Sequence, residues 1–424
     1  MNSIKSLLTI LCMLLSFTST AACSSDEGNS SQTSGEDKNM SAIEFAQSLG
    51  MGWNLGNNFD AHIDGISNET GWGNPKATQR LFDALKKAGF SSVRIPVTWM
   101  GHIDKAPGFH VENAFLNRVA EVAGYAKKAG LKCIINIHHD GFGAETDPAR
   151  KGYFWLNVEE AAKDENRNQE IKQKLAMLWM QIASRFKDEG DWLVFETLNE
   201  IHDGKWGSGG NLTDGGAQYR VLNEWNQLCV DVIRGTGGEN KTRFIGIPGY
   251  VCQPWLTIQQ LVLPTDETPD RLLVAVHMYD PWDYAGSAQY SEWGHTGVNV
   301  VPDKSGEKEY VATLDALYNK FVRKGIPVYL GEYGCVHRNN SKAEAFRKYY
   351  LEYTIRALSI HKMPVFVWDN GSRFAGDDGF GLMEHDDGKF INNGEEIVNL
   401  MVKAWNNKDA DYTLESIYNH APQH

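Results

Sequence analysis

The chain has 424 residues, and 41 Lys and Arg against 54 Asp and Glu leave a net charge of −13. So acidic a balance with few basic clusters argues against nucleic acid as a partner. After Cys23 only Cys133, Cys229, Cys252 and Cys335 remain, none in a C-x-x-C pair, which argues against a zinc site built on thiolates.

Residues 1–22 read as an export signal. Lys5 supplies the positive start, Leu7 to Phe17 a short apolar core, and Thr20-Ala21-Ala22 a small-residue cleavage site. The apolar core is too short to span a membrane as a helix. Cys23 follows directly, so the site resembles a bacterial lipobox, with threonine at position 20 where leucine is usual. Acylation of Cys23 would anchor the protein at the outer membrane or cell surface, and ordinary cleavage after Ala22 would leave it secreted. Residues 23–39 are polar and low in apolar character, as a flexible tether is. Residues 40–424 are then one folded domain, large for an ordinary fold but within the range of a barrel with long loops. Export permits disulfides, yet the four remaining cysteines can equally be buried free thiols.

From Met51 onward, short apolar runs alternate with amphipathic stretches eight times. The strand-like runs are Met51–Leu55, Ser92–Pro96, Leu131–Ile137, Trp192–Leu198, Phe244–Pro248, Leu272–His277, Val328–Leu330 and Pro364–Trp368. Helical patterns lie between them, and Gly89, Gly130 and Gly325 stand where a helix must stop before the next strand. Eight strand–helix units predict a closed (β/α)8 TIM barrel of the α/β class. An open doubly wound sheet is the alternative, but no glycine-rich phosphate loop follows the first strand.

A barrel of this kind carries its active site at the C-terminal ends of the strands. The polar residues gather there. The second run holds Arg94, the third ends His138-His139-Asp140, and the fourth ends Asn199-Glu200. The sixth ends His277-Met278-Tyr279, the seventh Glu332 and the eighth Trp368-Asp369-Asn370. A carboxylate at the end of a buried strand is costly unless it is paired or faces a cleft. Glu200 and Glu332 therefore point to two carboxylates aimed at one pocket. Long connections lie on the same side, at 141–168, 202–216, 280–308 and 371–394.

The motifs Gly52-Trp53-Asn54-Leu55-Gly56-Asn57, Val93-Arg94-Ile95-Pro96, Leu198-Asn199-Glu200, His277-Met278-Tyr279 and Gly331-Glu332-Tyr333-Gly334 together resemble the glycoside hydrolase family 5 cellulases. The resemblance spans nearly all of Met51 to Asn407. It implies a retaining, endo-acting hydrolase of β-1,4-glucan, with cellulose, mixed-linkage glucan or xyloglucan as substrate and no cofactor. Glu200 would be the acid/base and Glu332 the nucleophile. Arg94 would keep Glu332 ionised, while burial and an adjacent anion raise Glu200. Asn199 would donate to the sugar 2-hydroxyl, His138 and His277 would bridge carboxylates and sugar hydroxyls, and Tyr279 would orient Glu332. Trp368 would face the sugar being cleaved, and His139 would contact substrate. Trp206, Trp282 and Trp293 stand in rim loops, as subsites or as packing for their own loops. No metal is expected at His138-His139-Asp140, on the ground that neighbours along a strand point to opposite faces. Three other readings stay open: the same mechanism on mannan or xylan, a non-catalytic glycan-binding lipoprotein, and a metal-dependent barrel hydrolase.

Overall fold

The computed structural model describes residues 40–141, 153–302 and 306–423. The export segment, Cys23, the tether and most of the loop between Gly141 and Tyr153 lie outside them. Eight parallel strands close into a barrel: β1 (Met51–Leu55), β2 (Ser92–Ile95), β3 (Lys132–Asn136), β4 (Leu193–Glu196), β5 (Ile245–Pro248), β6 (Leu272–Met278), β7 (Val328–Tyr333) and β8 (Val365–Asp369). Each strand pairs with its neighbours in sequence. The ring shuts where β1 pairs with β8, from Met51↔Val365 to Leu55↔Asp369. The predicted barrel is the observed one, and β7 runs past Leu330 to Tyr333.

Both faces of every strand must be covered, because helices pack outside and side chains fill inside. On β4, Leu193 and Phe195 join the outer core, where Phe195 meets Trp179 of the helix Glu165–Arg185 at 5.3 Å between ring centroids. Val194 joins the inner core. Helices Gln79–Ala88 and Asn113–Ala129 end at Gly89 and Gly130, which take φ of 101° and 71°. Their N–H groups then close the last turn, a backbone state that glycine adopts without a Cβ penalty.

The lower barrel is plugged by an element the sequence reading passed over, the helix Ala42–Leu49. Ser41 and Glu44 cap it reciprocally, a Ser-x-x-Glu box legible before the first strand. Phe45 stacks on Phe244 at 3.6 Å, and Ala42, Ala46 and Leu49 pack with Ile134, Val194, Ala275, Tyr329 and Phe366.

One irregularity positions the site. Beside β6, the register passes from Val276↔Leu330 straight to His277↔Glu332, so Gly331 is an extra residue on β7. The register against β8 shifts at the same place. Tyr329 points into the barrel, and strict alternation would turn Glu332 to the outer face; the bulge at Gly331 turns it back.

Candidate active site

Above the apolar plug the barrel interior becomes polar by the period of its strands. Asn54 on β1, Arg94 on β2, Asn136 on β3 and Glu196 on β4 all face inward and are buried. Arg94 is the hub of this layer. Its Nη2 donates to Glu196 Oε1 at 2.7 Å and to Asn199 Oδ1 at 2.8 Å. Its Nη1 donates to Glu332 Oε1 at 2.9 Å and to Asn54 Oδ1 at 3.0 Å, and its Nε faces Glu196 at 3.2 Å. Every donor of the planar fork has an acceptor, a geometry that lysine cannot reproduce.

Glu332 also accepts from Tyr279 Oη at 3.2 Å, and His138 Nε2 and His277 Nδ1 stand 3.8 and 3.7 Å from its oxygens. Glu200 receives no arginine; its Oε1 lies 2.6 Å from His277 Nδ1. Carboxylate oxygens of Glu200 and Glu332 come within 4.8 Å of each other, with the His277 nitrogen between them. Asn199 has its Oδ1 fixed by Arg94, which turns its Nδ2 toward His138, 3.5 Å away, on the side where substrate would lie.

Burial drives the titration of these groups. The Glu200 carboxyl is pushed up to about 7 by desolvation, opposed by Arg94 and supported by the anion of Glu196. Glu332 is also raised above the usual carboxylate range. Burial is the larger effect and outweighs the opposing pull of Arg94, which acts in the expected direction. Arg94 touches Glu332 and not Glu200, a contact that favours the ionised form of Glu332. Desolvation takes His277 down to about 4, so it is a neutral imidazole.

The structure brings together Arg94, His138, Asn199, Glu200, His277, Tyr279 and Glu332, and it stacks Trp368 over His138 with ring centroids 6.1 Å apart. Trp368 packs with Val336, Phe380 and Tyr279 at the rim. His139 stands one step away, against His138 at 4.3 Å and Trp72 at 5.8 Å. Of the two roles left open for Trp293, the structure gives it packing: it is fully buried among Tyr349, Tyr350 and Tyr353. Trp206 and Trp282 are 59% and 53% exposed, and Trp282 lies against Tyr279 at 5.7 Å. Cys133, Cys229, Cys252 and Cys335 are buried free thiols.

Contrary to expectation, His138 and His139 do not diverge to opposite faces. β3 ends at Asn136, alternation ends with it, and donor atoms of His138, His139 and Asp60 come within 4.8 Å of one another. Asp140 is elsewhere, accepting from Trp99 N and Trp155 Nε1. Asp60 already receives the Asn57 and Asn58 amides, and the second such group, Glu200, His277 and Glu332, lies against the Arg94 charge.

Two site residues escaped the sequence reading. Glu196 lies inside an otherwise apolar run, and a glutamate two positions after Val194 on a buried strand must face the same interior. Trp72, 44% exposed, sits in the loop after β1 with its ring against His139. Its signal was weaker, one tryptophan in a glycine-rich stretch.

Comparisons with known proteins agree with this geometry. The model of the cellulase family (glycosyl hydrolase family 5) matches residues 55–373. Endoglucanase A of Paenibacillus barcinonensis is 34% identical over 387 residues, covering 87% of this chain and 92% of that protein. The structure of a native Bacteroidetes-affiliated GH5 cellulase linked with a polysaccharide utilization locus superposes with a TM-score of 0.89. It is 58% identical, over 91% of this chain and 98% of its own. A GH5-4 broad specificity endoglucanase from Bacteroides salanitronis gives a TM-score of 0.83 at 48% identity, over 90% of this chain and 99% of its own.

Proposed function

Since this chain belongs to glycosyl hydrolase family 5, we propose that Glu200 and Glu332 carry out endo-hydrolysis of β-1,4-glucan by double displacement. The protein is a cellulase-like glycoside hydrolase, and the observation that carries the residue assignment is the spacing and inequality of its two carboxyls. Their oxygens lie within 4.8 Å, which fits the retaining arrangement of about 5–5.5 Å between carboxyls and leaves no room for the water of an inverting enzyme. Glu332, ionised beside Arg94, attacks the anomeric carbon. Glu200, protonated by burial, gives its proton to the leaving oxygen and then takes one from water. Asn199 donates its free amide hydrogen to the 2-hydroxyl, a bond that strengthens as the oxocarbenium ion develops. Tyr279 holds Glu332 in line, and the Trp368 ring offers an apolar face to the sugar.

The test is a product profile on soluble β-glucans together with proton NMR of the first anomeric signal. Cellulosic, mixed-linkage and xyloglucan chains are expected to be cut internally, with the β-anomer formed first. An α-anomer as first product would overturn the double displacement. The pH profile of kcat/KM is expected to be a bell. Its acid limb reports protonation of Glu332, and its basic limb, near 7, reports loss of the Glu200 proton. The two limbs belong to the interacting pair.

The export reading is a separate proposal supported by Lys5, the apolar core and Cys23. Cys23 carries lipid and tethers the barrel to a membrane, with full lipoprotein acylation because a single chain holds only weakly. Cys23→Ser is expected to abolish lipid labelling and release the enzyme from membranes. A wild-type protein already soluble and unlabelled would favour simple secretion.

A further inference from the structure

Glu196 shares the Arg94 guanidinium with the nucleophile yet lies one layer below the substrate cleft. We infer that Glu196 is a positioning residue that sets the charge of the active site: it neutralises Arg94, keeping Glu332 basic and Glu200 protonated. The inference rests on the double-displacement reading above and deepens it.

The geometry is specific. Glu196 is fully buried, and its carboxylate accepts from Arg94 Nη2 at 2.7 Å, Asn136 Nδ2 at 2.8 Å and Tyr329 Oη at 2.5 Å. Tyr329 reaches it because residue 246 on β5 is glycine; a Cβ there would lie 2.2 Å from the tyrosine oxygen. With three donors, one of them a cation, Glu196 is held ionised. Arg94 thus meets two carboxylates, and one of them cancels its charge before substrate arrives. Without Glu196, a whole guanidinium charge in a desolvated cavity would act on Glu332 alone.

Glu196 also bears on the acid. His277 joins Glu200 through Nδ1, and its other nitrogen, Nε2, is buried without a hydrogen-bond partner. A methyl group placed on Gly331 would lie 3.0 Å from that Nε2 and 3.4 Å from Glu196 Oε2, so both atoms border the same point above the bulge. The negative charge of Glu196 therefore favours the Nε2–H tautomer, leaving Nδ1 as an acceptor for the Glu200 proton. The other titratable groups around Glu196 are Glu332 on β7, which shares Arg94 with it, and the Cys252 thiol after β5. The thiol is pushed far up by burial and stays neutral.

The test is Glu196→Gln, compared with wild type in the full pH profile of kcat and KM on a soluble β-glucan. Both limbs are expected to move toward acid by roughly one pH unit, as removal of a close anion requires. KM should stay within about twofold and kcat should fall by roughly tenfold at neutral pH, as the acid arrives less protonated. Limbs that stay in place while only thermal stability or amplitude falls would make Glu196 merely structural and overturn the proposal. Should Glu196→Gln fail to fold, Tyr329→Phe decides: losing a hydroxyl that partly screens Glu196 should move both limbs a few tenths toward alkali. Unmoved limbs, or an acid shift, in that variant would overturn it. The wild-type anomer and bell are read in the same series, so failure of the double displacement itself is seen separately.

Discussion

Glu332→Gln lowers kcat on soluble β-glucan by on the order of 10⁴-fold, as loss of a covalent nucleophile does, while the barrel remains folded. The substitution is nearly isosteric: the amide oxygen of glutamine can still accept from Arg94 Nη1, and its Nε2, standing where Glu332 Oε2 was, can donate to Tyr279 Oη. Arg94 keeps its contact with Glu196 at 2.7 Å, so no buried cation is left unpaired. What disappears is the anion that forms the bond to the anomeric carbon. The variant should retain the circular dichroism and the melting temperature of the wild type to within a few degrees, and should bind oligosaccharide without turning it over. Activity within a few-fold of wild type would remove Glu332 from the reaction and with it the assignment of the site.

Glu200→Ala is expected to lose about 10³-fold on polysaccharide, the scale of a general acid, with a dependence on leaving group that separates its two duties. An alkoxide leaving from a glucan needs a proton, whereas an activated aryl oxide does not. The variant should therefore form the glycosyl intermediate from activated aryl glycosides at a rate much nearer wild type. Hydrolysis of that intermediate then stalls, because no base activates water, and Glu200 has no substitute: its neighbour His277 is neutral and pushed down to about 4. Azide, small and already anionic, should restore turnover and yield a β-glycosyl azide, detectable by mass spectrometry and NMR. A uniform loss on all leaving groups, with no azide product, would show that Glu200 only supports the fold of the site.

Much of this is legible in the sequence. The eight strand-like runs, with Gly89 and Gly130 closing the helices between them, state the barrel, because a strand covered on both faces must be apolar throughout and a helix between parallel strands must be amphipathic. Arg94, Asn199, Glu200, His277, Glu332 and Trp368 were visible because they interrupt or end such runs, where solvation energy forbids an idle polar group. Trp206, Trp282 and Trp293 had the same appearance in sequence, a tryptophan in a long loop. Only the packing of Trp293 against Tyr349, Tyr350 and Tyr353 separates it from the two that stay exposed.

The sequence by itself determined the fold, the end of the barrel that carries chemistry, and the pair of glutamates that faces the cleft. It did so because these follow from local period and from the cost of burying charge. Tertiary structure alone decided how charge is shared. Arg94 could be paired with Glu332 from sequence, but Glu196, 102 residues further along the chain, takes the same guanidinium only because β2 and β4 flank β3 and both turn these side chains into the interior. Glu332 itself would turn outward by strand alternation. It enters the site because β7 carries one more residue than its neighbours at Gly331. A bulge is a mismatch between strands, which no single strand's sequence contains.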